Sequence, residues 1–392
     1  MSRTPRVAVV GGGIGGCTLA LALRAQGVRA DVYEQAPELR EVGAAVAISA
    51  NGNRVLRSLG LEQRVAACSA VPTELIYRHW RDGHRLSSHE VGRRYEREFG
   101  APFFGVHRAD LQQVLVGAVG DDALHLSSQL QDLRETGSGV RLAFADGREA
   151  EADVVVGADG VHSTVREWVT DQETRVYSGT SGFRGLIPVE QLTELPDPGA
   201  LQYWTGPGGH LLHYPIGDGG VVNFLAVVDE PRRWEQESWV TGADPEEIAG
   251  SFAGWHPAVV QMVSATPLHR RWALFGQRPL DSWRRGRVVL LGDAAHAMLP
   301  HHGQGANQTI EDAAALANCL SAAGADDPGG ALRTYQRLRR GRTRRVALAS
   351  WLASDQLHLP DGPDAARRDE VLDSIPEELR WIHGHDAVAA TG

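Results

Sequence analysis

The chain has 392 residues, 42% of them hydrophobic and 22% charged, with a net charge of −10. That length is too great for one ordinary core, so two domains or one large α/β domain with an insertion is expected. The negative charge argues against nucleic acid or an anionic membrane surface as the main partner, and no apolar run approaches the roughly 18 residues of a membrane span.

In chain order, Arg6–Val10 reads as a buried strand entering a glycine turn. Thr18–Gln26 reads as a helix with Gly27 at its C-terminal cap, and Ala30–Glu34 as a second strand. This βαβ opening implies a parallel sheet. Leu111–Val119 has helical spacing, and Leu124–Leu130, Val140–Phe144 and Ala152–Val156 have strand character. From about Tyr177 the texture changes: Gly185–Val189, Leu201–Trp204, His210–Pro215 and Val221–Val228 alternate with Gly/Pro turns, and Trp234, Trp239 and Trp255 follow as expected core residues. Arg287–Leu291 returns to a buried-strand pattern. Gly305–Leu320 and the Arg-rich Ala331–Trp351 read as helices, the latter with a solvated arginine face pairing with acidic neighbours, and a polar tail follows. The N-terminus lacks the pattern of a signal peptide. Cys17, Cys68 and Cys319 are scattered, which fits a reducing cytoplasm.

Three motifs carry chemistry. Gly11-Gly12-Gly13-Ile14-Gly15-Gly16 satisfies G-x-G-x-x-G between a strand and a helix. Gly11 permits the tight turn, Gly13 lets backbone approach a pyrophosphate, and Gly16 lets the helix pack closely on the sheet. The helix N-terminus favours anions, and Glu34, ending the second strand, suits a ribose diol. This motif alone does not separate FAD from NAD. The second motif, Asp159-Gly160-Val161-His162-Ser163-Thr164-Val165-Arg166, follows a strand at the sheet edge where α/β proteins bind ligands; on its own it reads as an ordinary turn with Asp159 or Ser163 as a helix cap. In the third, a buried strand ends in Gly292-Asp293, and Gly303-Gln304-Gly305-Ala306-Asn307 opens a helix. Asp293 suits a polyol, and the helix N–H groups suit a group that develops negative charge. His296 reads as a satisfied core histidine. The histidines at 296, 301 and 302 lack metal-site spacing, so no metal is expected.

The three motifs in this order, over roughly residues 5 to 350, resemble the single-component FAD-dependent aromatic hydroxylases typified by para-hydroxybenzoate hydroxylase. The resemblance implies an α/β fold, a Rossmann-like FAD-binding domain (1–72, 98–175 and 276–350) interleaved with a mixed β-sheet substrate domain (73–97 and 176–275), and C-terminal helices at 351–392. Arg40–Ala44, with Gln35 and Ala45 nearby, resembles the loop contacting flavin; Arg108 resembles the arginine near the ribityl and phosphate; Pro300 precedes the glycine loop. Phe183-Arg184-Gly185 and Tyr203–His210 with Tyr214 are similar to the salicylate and 3-hydroxybenzoate hydroxylase branch, in which a histidine and a tyrosine four residues on line the substrate pocket. His210 and Tyr214 have that spacing, and positions four apart share a strand face. Ala297, where many relatives carry Pro, and His301-His302, where a tyrosine or glutamine is expected, depart from the pattern and bear on the substrate.

The activity implied is hydroxylation of a phenol or N-heteroaromatic, with or without decarboxylation, using FAD, O₂ and NADH or NADPH through a flavin C4a-hydroperoxide. His210 is the expected base, since its ordinary pKa of about 6.5 suits proton transfer near neutrality, assisted by Tyr214. Arg184 would bind a substrate carboxylate, and His301 is expected in the pocket. Small-molecule partners alone are expected, with the chain a monomer or homodimer. The alternatives are epoxidation or a natural-product tailoring oxidation on the same fold, and a flavin-binding protein without oxygenase activity; a plain NAD dehydrogenase leaves Gly292-Asp293 and the Gly303–Ala306 loop without a role.

Overall fold

The computed structural model describes residues 4–39, 45–230, 240–242, 244–265 and 270–389. The strand Val7–Val10 is buried on both faces, as four apolar residues flanked by parallel neighbours require. It pairs in parallel with Ala30–Tyr33 and with Val154–Gly157, which pairs in turn with Val288–Leu290. Leu124–His125 and Arg284–Arg285 complete a six-stranded sheet at its two edges. The helices Ile14–Ala25 and Gly305–Ala323 share with this sheet one continuous core.

A second sheet of eight strands runs in the order Val240–Gly242, Arg270–Gln277, Arg175–Pro188, Val221–Asp229, Gly209–Ile216, Leu201–Gly206, Glu74–His79, Arg85–Glu90. One face holds Phe183, Trp204, Leu211, Phe224 and Trp255; the other presents Tyr77, Leu201, Tyr203, Leu212 and Tyr214 toward the first domain. Strand alternation makes this division, with Leu211 on one side and its neighbour Leu212 on the other. Trp255 is a core residue here, whereas Trp234 and Trp239 lie outside the described residues.

Four expectations change. The predicted strand Leu124–Leu130 is two strands, Leu124–His125 and Leu130–Glu135, in different sheets. Ser127 turns the chain with φ of 53°, and the N–H groups of Ser127 and Ser128 donate to the carbonyls of Ala36 and Glu34. Gly185–Val189 falls largely in a longer strand, Arg175–Pro188, whose start pairs with Arg270–Gln277 and whose remainder, from Thr180, pairs with Val221–Asp229. The Arg-rich helix read over Ala331–Trp351 runs over Pro328–Leu357, capped by Asp327, which accepts from the Gly330 N–H at 2.8 Å. Finally, the segment after 351 is no peripheral tail: Leu357 and Leu372 enter the core beside Tyr77 and Tyr203. No helix of the described residues is long and apolar enough to cross a membrane.

The Arg-rich helix is solvated only in part. Arg339 is 2% exposed and lies between Glu311 and Asp312 of Gly305–Ala323, with Nη1 and Nε each 2.6 Å from a carboxylate oxygen. Arg342 adds a second contact to Glu311 at 2.7 Å. Burial would raise the Glu311 pKa, but the two guanidinium groups overcome it and hold it at about 2. A depressed carboxylate pKa gives stability that is complete above about pH 4.5 and is lost as pH falls through about 2. Arg339→Met leaves the buried Asp312 without its guanidinium and Glu311 with Arg342 alone, and is expected to cost about 3–5 kcal/mol. Urea unfolding at pH 7 checks it: the midpoint drops with an unchanged slope, and the gap between variant and wild type narrows below about pH 4. An unchanged midpoint would show that the buried pair carries no net stability.

Candidate active site

Between the two sheets lies a cleft of about 560 Å³. Its ends differ in chemistry, and each end follows from the elements that form it.

One end collects strand termini and helix N-termini. The turn after Val7–Val10 approaches the turn after Val154–Gly157 so closely that a Cβ on Gly11 would stand 2.4 Å from the Ala158 carbonyl oxygen, and Gly11 has φ of 106°. A Cβ on Gly16 would meet the Gly11 oxygen at 1.9 Å. Gly13, by contrast, faces open space: nothing lies within 4 Å of a Cβ built there. The helix it opens has neither a side-chain cap nor an acidic residue in its first turn, so its N–H groups and dipole face the cleft uncompensated. Glu34 is fixed by two backbone donors, the Gly12 N–H at 2.7 Å and the Ala36 N–H at 2.9 Å. Such a cradle fits a dinucleotide: close backbone approach for pyrophosphate, an anion-favouring helix end, and a held carboxylate for a ribose. Cys17 beneath it is inert, since burial and the Glu34 charge push its thiol up to about 12.

Asp159 combines two tasks. It lines the cleft, yet its oxygens accept from Ser163 Oγ at 2.5 Å and the Val165 N–H at 3.1 Å, while Ser163 caps Thr164–Val169. Arg166 shares the Ser163 side of the turn and donates to the Val161 and Ala294 carbonyls, tying this turn to the Asp293 helix. Asp293, Pro300, Gly303, Gln304, Gly305 and Ala306 also line the cleft, and the helix Gly305–Ala323 opens toward it without a side-chain cap.

Gly11, Gly13, Ile14, Gly15, Glu34, Gln35, Ala45, Arg108 and Gly160 stand on the wall as well. Gly16, Gly292 and Asn307 do not; each acts behind it. Gly292 has φ of 63° and packs so tightly that a Cβ would meet Thr309 Oγ1 at 2.7 Å. Asn307 accepts from the Ser49 N–H and donates to the Ala47 and Gly303 carbonyls, stitching the glycine loop to Ala45–Ile48. His296 is structural, with Nε2 2.5 Å from Asp312. Arg40 lies outside the described residues.

The other end is apolar with a single cationic side chain added. Leu75, Tyr77, Phe103, Leu201, Tyr203, Leu212, Tyr214 and Leu225 line it, with the Tyr77 and Tyr203 rings stacked at 5.1 Å. Arg184 reaches in from Arg175–Pro188. Among the described residues it has no carboxylate partner and no hydrogen-bond partner, and burial, with Arg108 adding, pulls its pKa below the usual value while Tyr214 opposes. Burial pushes the Tyr214 phenol well up, so it stays neutral and can donate.

Two expectations fail on position. His210 shares the strand face of Leu212 and Tyr214, as its spacing implies, but it does not line the cleft; it stands one step outward, fully buried beneath Tyr203 and His301. His301 is also behind the wall, its carbonyl accepting from Tyr203 Oη at 2.8 Å. His302 takes the lining position, with Nε2 3.2 Å from the Ala349 carbonyl. Along a 3-10 turn, adjacent side chains diverge by about 120°, so only one of the pair can face the cleft, and sequence does not say which. Tyr77, Phe103, Leu379 and His383 were not anticipated at the wall; they come from segments that the chain brings together only on folding.

The family model described as FAD binding domain matches residues 4–350. Among curated proteins, 3-amino-4-hydroxybenzoate 2-monooxygenase PtmB3 of Streptomyces platensis is 40% identical over 392 residues, covering 98% of this chain and 97% of that protein. The 6-hydroxynicotinate 3-monooxygenase of Pseudomonas fluorescens is 34% identical over 362 residues, covering 91% and 94%. Among solved structures, a salicylate hydroxylase substrate complex has a TM-score of 0.86 at 30% identity, covering 100% of this chain and 97% of that one. The HpxO of Klebsiella pneumoniae, complexed with FAD and uric acid, has a TM-score of 0.82 at 27% identity over 99% and 97%.

Replacing Glu34 with Ala removes a held carboxylate that accepts from two backbone N–H groups at the cleft. It is expected to weaken FAD binding about 10- to 100-fold, the range for a lost hydrogen bond to a charged group. Titration of the apoprotein, followed by flavin fluorescence, checks this; an unchanged dissociation constant would remove Glu34 from the cofactor site.

Proposed function

This chain belongs to the FAD-dependent aromatic hydroxylases, and we propose that its substrate is a ring bearing both a hydroxyl and a carboxylate, of the 3-amino-4-hydroxybenzoate kind. The observation that carries the reading is Arg184, a largely buried cation in an apolar pocket with no acidic partner among the described residues. Leaving such a charge unpaired costs several kcal/mol. A bound carboxylate offsets that cost through a two-point contact that a guanidinium is shaped to make. The aromatic wall of Tyr77, Phe103, Tyr203 and Tyr214 supplies stacking surface for a flat ring. Relatives whose names specify hydroxybenzoates and a hydroxynicotinate support the same class.

When bound, FAD stores the electrons of NADH or NADPH and activates O₂ for transfer to the ring. The residues proposed to hold it are Gly11, Gly13, Ile14, Gly15, Glu34, Gln35 and Arg108 at the adenosine and phosphate end, with Ala45, Asp159, Gly160, Asp293, Pro300 and Gly303–Ala306 along its length. The chain's own contribution is orientation, dryness and proton handling. Arg184 anchors the carboxylate. Tyr214, neutral and beside Arg184, donates a hydrogen bond to the ring substituents. The proton of the ring hydroxyl leaves through the histidine layer behind the wall, with His210 as its acceptor and His301 between it and the cleft. A deprotonated ring hydroxyl makes the carbon beside it a far better nucleophile, which is the requirement for accepting an electrophilic oxygen.

The test is NADH and NADPH oxidation across hydroxybenzoates, 6-hydroxynicotinate and 2-aminophenol, with H₂O₂ followed to separate hydroxylation from uncoupled oxidation. For 3-amino-4-hydroxybenzoate, Arg184→Met is expected to raise KM about 100-fold, the loss of one charged two-point contact. 2-Aminophenol, the same ring without its carboxylate, should bind wild type and variant alike. A KM unmoved in the variant would refute the carboxylate contact.

A further inference from the structure

Behind the cleft wall, three side chains form a hydrogen-bonded line to the surface. His210 Nδ1 lies 2.7 Å from His358 Nε2, and His358 Nδ1 lies 2.6 Å from Asp229 Oδ1. His210 is fully buried and His358 is 8% exposed, while the Asp229 side chain is 53% exposed. His358 ends the helix Pro328–Leu357, and the Gly208 N–H donates to its carbonyl at 3.1 Å, which fixes the ring beside the strand that carries His210.

The protonation pattern along this line follows from its surface end. An exposed carboxylate only accepts. The bond to Asp229 therefore places a proton on His358 Nδ1, and neutral His358 then presents a bare Nε2. That nitrogen can only accept, so His210 carries its proton on Nδ1, and His210 Nε2 is left as a bare lone pair. Among the described residues it has no hydrogen-bond partner, and the two ring nitrogens of His301, packed edge-on at 5.1 Å, are equally without one. Unmet buried nitrogens cost about 1–3 kcal/mol each, and three of them lie on the two neighbouring rings of His210 and His301, behind a wall to which the flanking residues Pro300 and His302 belong. The tautomer assignment is independent of substrate; its use in turnover rests on the hydroxylase reading above.

We propose that Asp229 and His358 are positioning residues that hold His210 with Nε2 bare and form the exit by which the substrate's hydroxyl proton reaches solvent. Each transfer conserves charge and atoms. The ring hydroxyl gives its proton, relayed by water across the wall, to the bare nitrogen of His301, and the N–H proton of His301 passes to His210 Nε2. The Nδ1 proton of His210 passes to His358 Nε2, and that of His358 to Asp229, which releases it to water. One proton leaves, and a phenolate remains in the cleft. The relay answers a physical difficulty. Burial, with His358 and His301 adding, drives His210 well below its ordinary pKa, so an isolated His210 could not keep a proton. His301, His302 and Tyr203 are the other titratable groups facing this layer; burial lowers the two histidines, His301 to about 3, and raises the tyrosine, so none of them stores the charge instead.

The FAD-loaded enzyme carries the test, with Asp229→Asn, Asp229→Glu and His210→Gln, the first two at an exposed position that leaves folding intact. Nitrogen-15 spectra of the histidine rings at pH 7 should show His210 protonated on Nδ1 alone; a proton on Nε2, or a doubly protonated ring, would overturn the assignment. In Asp229→Asn, kcat for 3-amino-4-hydroxybenzoate should fall about tenfold at pH 7 with KM within twofold. Its pH profile should move about one unit to the alkaline side, and the phenolate absorption of the bound substrate should diminish, with Asp229→Glu restoring all three. An unshifted pH profile and unaltered phenolate band in Asp229→Asn, together with a defective His210→Gln, would sink the relay and leave His210 as acceptor. A His210→Gln enzyme as active as wild type would instead sink the base assignment itself.

Discussion

The buried contact of Arg339 with Glu311 and Asp312 is the interaction on which the active site depends. It joins the helices Gly305–Ala323 and Pro328–Leu357, and the first of these helices is the spine of the cleft. From it Asp312 reaches the Gly292 N–H and His296, Gln304 holds Ser49 and Asn51, and Asn307 ties down Ala45–Ile48. A charge cluster of this kind is weak evidence for net stability, because desolvation offsets most of the Coulomb gain. Its effect here is positional. Carboxylates and guanidinium groups in a dry interior satisfy one another in few arrangements, so the helix whose first turn faces the cleft is held in one register.

The cleft divides electrostatically along its length. At the dinucleotide end, attraction comes from dipoles: two helices open toward it with no side-chain cap, and backbone packs too tightly for any residue but glycine at 11 and 16. Uncompensated N–H groups there make an anion-binding surface without placing full positive charges next to each other. At the ring end, the wall is aromatic and aliphatic, and Arg184 brings a full charge into low dielectric. On the function proposed above, such a pocket would discriminate by whether a ligand supplies an anion, since an unpaired buried charge is penalised more heavily than a missing methyl.

The histidines separate by what each ring nitrogen touches. His296 is committed to Asp312, and His302 to the Ala349 carbonyl. Among the described residues, His210 and His301 next to the cleft have ring nitrogens with no hydrogen-bond partner, as do His213 and the Nδ1 of His296. Burial pushes His210 and His301 toward the neutral form, so this layer can conduct a proton only if something at the surface takes it away. The exposed Asp229, two bonds distant through His358, has that position.

The parts readable from sequence were those set by local geometry. A glycine needed at a positive φ or at a close backbone approach leaves its mark in the chain, so the turn at Gly11–Gly16, the end of Val288–Leu290 at Gly292-Asp293 and the loop at Gly303 could be located, as could the acidic residue closing the second strand. Alternation put His210 and Tyr214 on one face. How far along that face the cleft extends is set by packing between domains, and so His210 falls behind the wall while Tyr214 is on it. The choice between His301 and His302 rested on the turn joining two elements distant in sequence. Leu379 and His383, like His358 beside Asp229, come from a C-terminal segment whose composition is polar and whose own spacing carries no sign of the cleft. Residues that meet across more than a hundred positions share no periodicity, and only tertiary packing brings them together.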